Sequence, residues 1–183
     1  IAPKSAMVLG WVWSSGNLTA SPHKLSALSE CEPPPTMKGL KSWLGAFRHL
    51  SRVVKGYGAL LQPLEEMIAG KYAKESAAST KVVWSDERLA AFKKAQSALR
   101  DAKSITIPRP EDTLQIVTDA ALQPIGIGAT LYIIRGQKVL LGGFFNAKLP
   151  VFQRRWLPCE MEGVAIGMSL AHFSPYILQS NHR

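Results

Sequence analysis

Cysteine is almost missing from this chain: Cys31 and Cys159 are the only two in 183 residues, with no CxxC spacing and no His pair beside them. That excludes a disulfide framework and a zinc site of the usual kind. Acidic residues are also scarce, 13 against 22 Lys plus Arg, for a net charge of +9. No apolar run approaches the roughly 18 residues that span a bilayer, and the N-terminal IAPKSAMVLGWVW lacks the basic region and cleavage site of a signal peptide. An intracellular protein without membrane association is expected. There is no initiating Met, which suggests a piece of something longer, and no internal repeat.

What is present is an uneven charge and a change of period. The first 105 residues hold 15 basic against 8 acidic side chains, the remainder 7 against 5, so the first part is the better candidate for a polyanion partner. AMVLGWVW (6–13) followed by SSGN reads as a strand entering a hairpin. SPHKLSALSE reads as a short helix with Ser21 as N-cap and Pro22 at its first position, stopped by EPPP. The segment 36–55, TMKGLKSWLGAFRHLSRVVK, reads as one helix capped by Thr36. Met37, Leu40, Trp43, Leu44, Phe47, Leu50 and Val54 form its apolar face. Lys38, Lys41, Arg48, Arg52 and Lys55 recur on another sector, with no acidic residue between Pro33 and Leu64. Such a stripe can track phosphates; it can equally be the solvated side of an amphipathic helix.

GALLQPLEEMIAG reads as a second helix of a small bundle, GKYAKESAAST as a polar loop, and the segment from Ser85 as a third helix with Asp86 and Glu87 in its first turn and Trp84 as a staple on Leu89. SITIPRPED marks a boundary. Beyond it TLQIVTDA, IGIGATLYII and VLLGGFF read as an antiparallel meander, with RGQK a tight turn. After a loop containing FQRRW, PCEMEGVAIGMSLAHF reads as a helix with Pro158 near its start and Ser174-Pro175 as its stop.

Two carboxylates could carry chemistry. Asp119 ends the first strand of the meander, and Glu162 lies one turn into the helix expected to pack on it. Oxygen donors brought together in this way suit a hard divalent cation, and phosphodiester hydrolysis commonly uses such ions. A turn-starting Asp and a helix-dipole Glu are the plainer reading, and the residues alone leave both open. Glu160 competes with Glu162, but the two point about 200° apart on a helix. Asp112 reads as a turn residue. Gly126 and Gly128 lack the setting of a dinucleotide fingerprint and suit a bulge or relief of crowding. His23, His49, His172 and His182 show no ligand spacing.

Taken in order, VLGWVWSSGNLTASPHKLSAL, LKSWLGAFRHLSRVV, PLEEMI, VWSDERLAAFKKAQSAL, IVTDAALQPIGIGATL and CEMEGVAIGMSLAHFSPYI resemble the Pol polyprotein of long-terminal-repeat retrotransposons, most closely the Pao/Bel type and more distantly the Gypsy type. The resemblance implies an α+β fold: the end of a reverse-transcriptase palm with a primer-grip-like hairpin (1–20), a helical thumb and connection (21–105), and part of a ribonuclease H-like mixed sheet with a packed helix (106–183). It implies that Asp119 and Glu162 are catalytic and hold Mg²⁺ or Mn²⁺, with Glu160 at an accessory position. The thumb residues Lys38, Lys41, Arg48, Arg52 and Lys55 would contact an RNA/DNA hybrid or template-primer duplex. The other partner would be the rest of the polyprotein, in a cytoplasmic particle or the nucleus. The family's Tyr-x-Asp-Asp motif is not in this sequence, so nucleotide addition is not expected. The family uses four carboxylates, the third following HFSPYI, and the chain stops at Arg183 first; SNHR is similar to the Gypsy-type TDHR with Asn181 in place of Asp, but the intervening strand is too short, so truncation rather than substitution is expected. This chain alone is therefore expected to be inactive or nearly so. The alternatives are a non-catalytic nucleic-acid-binding module or a scaffold.

Overall fold

The structure, a computed structural model, describes residues 4–69, 80–122, 125–149 and 156–181. The loop expected at 70–79, the residues 152–155 of FQRRW and the last two of SNHR, His182 included, lie outside the described residues. The chain divides into two compact units, Ala20–Ala102 and Ile1–Thr19 with Lys103–Arg183.

The first unit is helical. Helix α1 (Pro22–Ser29) starts where expected: the Ser21 hydroxyl accepts from the Lys24 amide and Pro22 opens the first turn, where a missing N–H costs nothing. Helix α2 (Met37–His49) is capped by the Thr36 hydroxyl, which accepts from the Gly39 amide at 3.2 Å. The single helix expected over 36–55 is instead two pieces. Regular α-helix stops at His49, Leu50 caps it, and Ser51–Val53 form a 3-10 turn. The whole apolar stripe from Met37 to Val54 is nonetheless buried, because the tighter turn brings Val53 and Val54 inward after the α-helix ends. Helices α3 (Tyr57–Ala69) and α4 (Asp86–Arg100) complete the unit.

Its centre is aromatic. Trp43 and Phe92 lie 4.6 Å apart, with Trp84 on Phe92 at 5.3 Å and Phe47 fully buried beside Trp43. Trp84 thus packs on Phe92, one turn beyond Leu89 along α4. Its indole N–H donates to the Pro34 carbonyl at 3.0 Å. The orphan carbonyls at the end of α1, a feature of every helix C-terminus, are met from α2 and α4. The Trp43 indole and the Gln96 amide both donate to the Leu28 carbonyl, and Gln96 also donates to Cys31.

The second unit holds two sheets. Strands β1 (Ser5–Val8), β2 (Trp11–Ser14), β3 (Asn17–Ala20) and β4 (Ile105–Thr106) make a four-stranded sheet in that order. The expected strand over 6–13 is thus two strands. Leu9 and Gly10, at φ 51° and 80°, form a two-residue turn, and Ser15 and Gly16 repeat it at φ 49° and 80°. Positive φ at both central residues gives the turn whose twist matches a hairpin.

Strands β5 (Thr113–Leu122), β6 (Ile125–Arg135) and β7 (Lys138–Lys148) form the antiparallel meander in sequence order. The register between β6 and β7 shifts at Leu131/Tyr132, placing an extra residue on β7. A Cβ at Gly142 would lie 2.8 Å from Leu131 Cγ, so only glycine lets the strands close over the core there. Helix α5 (Pro158–Ile177) covers one face, where Met161 and Ala165 pack with Ile127, Leu149 and Ala120, and Phe173 packs with Ala129, Leu131, Leu114 and Ile116. Pro175 does not stop this helix: the Leu178 amide still bonds to the Ser174 carbonyl at 2.9 Å. A proline in the last turn removes one hydrogen bond from an element already held by packing.

Candidate functional site

Within the helical unit, the five cations of 38–55 do not form one continuous helical stripe. Lys38 and Lys41 project from α2 into solvent, Arg52 sits half-buried in the 3-10 turn, and Lys55 is exposed beyond it. Arg48 is held by the fold. Its Nη2 lies 2.8 Å and its Nε 3.3 Å from Glu65 Oε1 on α3, so the local neutraliser absent from the sequence around α2 arrives from the next helix. Burial and the neighbouring Glu65 push the Tyr57 phenol above its ordinary value. Lys93, Lys94 and Arg100 are exposed on the second half of α4, a cationic face that the sequence reading passed over. The seven-residue spacing of Lys93 and Arg100, about two turns, was the available signal.

In the sheet unit, β5 alternates strictly. Leu114, Ile116, Thr118 and Ala120 are half-buried, while Gln115, Val117 and Asp119 are exposed. Because successive side chains on a strand point to opposite faces, Ala120 joins Met161 in the core and Asp119 stands on the face away from α5. Glu162 follows Met161 on α5 and is exposed. The structure thus brings the strand and helix that carry the two carboxylates together, through Ala120 and Met161, with the carboxylates themselves rooted on different faces. Helix α5 lies chiefly across β5 and less on β6, and β5 is the outer strand of its sheet among the described residues. A meeting of the two carboxylates would therefore run around the β5 edge rather than through the sheet.

Glu160 serves the helix itself, since its Oε2 accepts from the Leu157 amide at 2.7 Å and so caps α5. That removes it from competition with Glu162. Across the sheet, Asp119 is in register with Gly128, and Gly128 with Asn146. The donor chemistry fits a hard cation in a limited way. Two exposed carboxylates can hold a Mg²⁺ that keeps several waters, whereas no cluster of three or more His, Cys, Asp or Glu able to bind a metal occurs among the described residues.

Asp112 is more than a turn residue. Only 1% exposed, it accepts from Arg135 Nε at 2.8 Å, Arg135 Nη2 at 2.7 Å and the Arg109 amide at 2.8 Å. The hydrogen-bonded Arg135 guanidinium holds its carboxyl below the usual value. Arg135 also reaches the Ile107 carbonyl, so the pair ties the segment entering β5 to the end of β6. His172, exposed on α5, stacks on Phe145 at 4.4 Å. Cys31 and Cys159 are free thiols, and no helix among the described residues is long and apolar enough to cross a membrane.

Residues 84–183, more than half the chain, match the family model described as the RNase H-like domain found in reverse transcriptase. A relative from Drosophila melanogaster, the retrovirus-related Pol polyprotein from transposon opus, is 31% identical over 121 residues, which cover 64% of this chain and 12% of that protein. Among solved structures, a foamy viral protease-reverse transcriptase in complex with double-stranded DNA is similar at a TM-score of 0.77 and 19% identity, covering 94% of this chain and 29% of that one. The foamy viral protease-reverse transcriptase in complex with an RNA/DNA hybrid is similar at a TM-score of 0.77 and 16% identity, over 94% of this chain and 22% of that one. This chain therefore spans a small part of the proteins it resembles.

Proposed function

Since the chain belongs to the family of RNase H-like domains found in reverse transcriptases, we propose that it is the part of a retroelement Pol polyprotein that holds an RNA/DNA template-primer duplex. We further propose that Asp119 and Glu162 belong to the centre that hydrolyses the RNA strand in the intact protein. The observation that carries the reading is the pairing of elements: a strand bearing Asp119 and a helix bearing Glu162 are packed through adjacent residues, with both carboxylates in solvent. Duplex-bound structures of similar fold support the choice of ligand.

A Mg²⁺ or Mn²⁺ bound there would supply charge to stabilise the developing phosphorane and leaving oxygen. The chain's own contribution would be to present two exposed oxygen donors, one on a strand and one on a helix, whose neighbours Ala120 and Met161 share one core cluster. Lys38, Lys41 and Lys55 would neutralise phosphates of the duplex, with Arg48 contributing less because Glu65 already engages it.

Binding of the 183-residue chain to a labelled RNA/DNA hybrid, titrated against salt, tests the reading. Affinity falling linearly in log salt, with a slope that drops by about one per Lys→Ala change at Lys38 or Lys41, supports duplex binding. Cleavage in Mg²⁺ by the intact polyprotein that survives Asp119→Asn and Glu162→Gln unchanged would refute the hydrolytic assignment. Binding without salt dependence would favour a scaffold instead.

A further inference from the structure

The segment 107–112, between β4 and β5, is a stiff strap bonded on three sides. Pro108 and Pro110 fix two of its φ angles. Residues 109–112 close on themselves: the Arg109 amide donates to Asp112 Oδ2 at 2.8 Å and the Asp112 amide to the Arg109 carbonyl at 3.1 Å. On one side the Ile107 amide donates to the Gly16 carbonyl in the hairpin turn at 2.9 Å. On another, Arg135 at the end of β6 grips Asp112 through two nitrogens and reaches the Ile107 carbonyl. On the third, the Pro110 carbonyl accepts from the Asn181 amide at 2.7 Å.

That third bond reaches the helix rather than a loose end. Past α5 the Leu178 amide bonds to the Ser174 carbonyl, Gln179 to Tyr176 and Ser180 to Ile177, so tight turns carry the helix on to Asn181. Phe173, near this end of α5, packs with Leu114 and Ile116 at the start of β5, while Met161 and Ala165, near the other end, share a cluster with Ala120. Helix and strand therefore run in opposite directions and are tied where the strap lies. Asp119 and Glu162 belong to the opposite end, roughly 20 Å away by the rise of either element. Apolar burial is non-directional, and the buried face of α5 is smooth at its middle. Ala165 and Ser169 are small, and the Ser169 hydroxyl donates to the Ala165 carbonyl at 2.6 Å rather than to the sheet. Core contact thus sets how closely α5 approaches β5, whereas the short hydrogen bond at the strap resists sliding along it.

We propose that the strap is a register lock, in which Asn181 through its amide, and Asp112 with Arg135 behind it, are positioning residues that fix where Glu162 stands relative to Asp119. The inference rests on the reading above that these two carboxylates form one centre, and it adds to that reading residues that act only through the placing of others. A slip of α5 by one residue moves Glu162 by about 1.5 Å, and a slip by one turn by about 5.4 Å. Either exceeds the roughly 0.5 Å within which a catalytic constellation has to be held. The side chain at position 181 is not needed for the lock, because the donor is the main chain.

Pulsed electron-spin distance measurement on the 183-residue chain tests the lock independently of activity. In a Cys31→Ser, Cys159→Ser background, nitroxide labels are attached at Val117→Cys on β5 and Gly163→Cys on α5, both exposed positions outside the carboxylate pair. A Cβ at Gly163 meets nothing within 4 Å. This parent should give one narrow distance distribution. Asn181→Pro, which deletes the donor amide, should shift or broaden it by about 1.5 to 5 Å, whereas Asn181→Ala, which keeps that amide, should leave it unchanged. Asp112→Asn with Arg135→Met should broaden it as well, even though no charge is stranded and much of the stability returns, so position and stability separate in that variant. A narrow, unshifted distribution in folded Asn181→Pro or in the double variant overturns the lock, as does broadening in Asn181→Ala. Should Asn181→Pro fail to fold, the double variant decides alone. If the distributions behave as expected while hydrolysis by the intact polyprotein survives Asp119→Asn and Glu162→Gln, the carboxylate reading falls and the register lock stands as a feature of the fold.

Discussion

Replacing Arg135 with Met should loosen the sheet that presents Asp119. The substitution keeps most of the side chain's volume but leaves the Asp112 carboxylate, 1% exposed, with only the Arg109 amide. Breaking a buried ion pair on one side costs about 3 to 5 kcal/mol as a rule. Arg135 is itself 29% exposed, so water screens part of the interaction, and about 2 to 3 kcal/mol is the expected loss. That amounts to one to two orders of magnitude in the opening equilibrium. Urea unfolding followed by amide-exchange mass spectrometry of β5 and β6 peptides isolates this sheet from the helical unit. The pair Asp112→Asn with Arg135→Met should recover much of the loss, because no charge is then stranded. The pH dependence has a definite sign. The carboxyl of Asp112 titrates below its ordinary 3.8 in the fold, so its contribution is complete above that value and fades as pH falls through the lower folded value. The stability gap between wild type and Asp112→Asn should be flat from pH 7 to about 5 and shrink below pH 3.8. A loss under about 1 kcal/mol in Arg135→Met, or a gap that widens in acid, would show that the pair does not hold β5 in place.

Three further outcomes follow from particular contacts. Gly142→Ala should destabilise the same sheet by about 1 to 3 kcal/mol in the same urea assay, since the new Cβ would meet Leu131 Cγ at 2.8 Å and Cδ2 at 2.9 Å. Leu9→Asn should raise stability by about 1 kcal/mol in thermal unfolding, because Leu9 holds φ 51° in a turn where Asn tolerates the left-handed region far better. Phe47→Ala should cost about 3 to 5 kcal/mol in the helical unit, read by amide exchange in α2 and α4, as it empties a fully buried site next to Trp43.

Much of the architecture was legible in the order of residues because its determinants are local. Ser21, Thr36 and Ser85 cap the helices they precede by bonding to amides three residues on. The apolar period of α2 alone selects its buried face, and the meander follows from alternating runs joined by the Arg135–Lys138 turn, with Gly136 at φ 61°. Where local signals were short or contradictory, tertiary contacts decided. Two residues of β4 are too few to show a period and exist because β3 lies alongside. Pro175 stays helical because α5 is anchored by Phe173. Which cations are engaged and which carboxylates are structural could not be read along the chain. Arg48 meets Glu65 from another helix, Glu160 is consumed by a cap and Asp112 by Arg135 from the far end of β6. Charge pairing depends on distances through space, and the order of residues encodes these only after packing has been solved. Composition and period thus determined the helices, the meander and the basic excess of this protein, while the folded structure alone decided which polar groups remain available for a ligand.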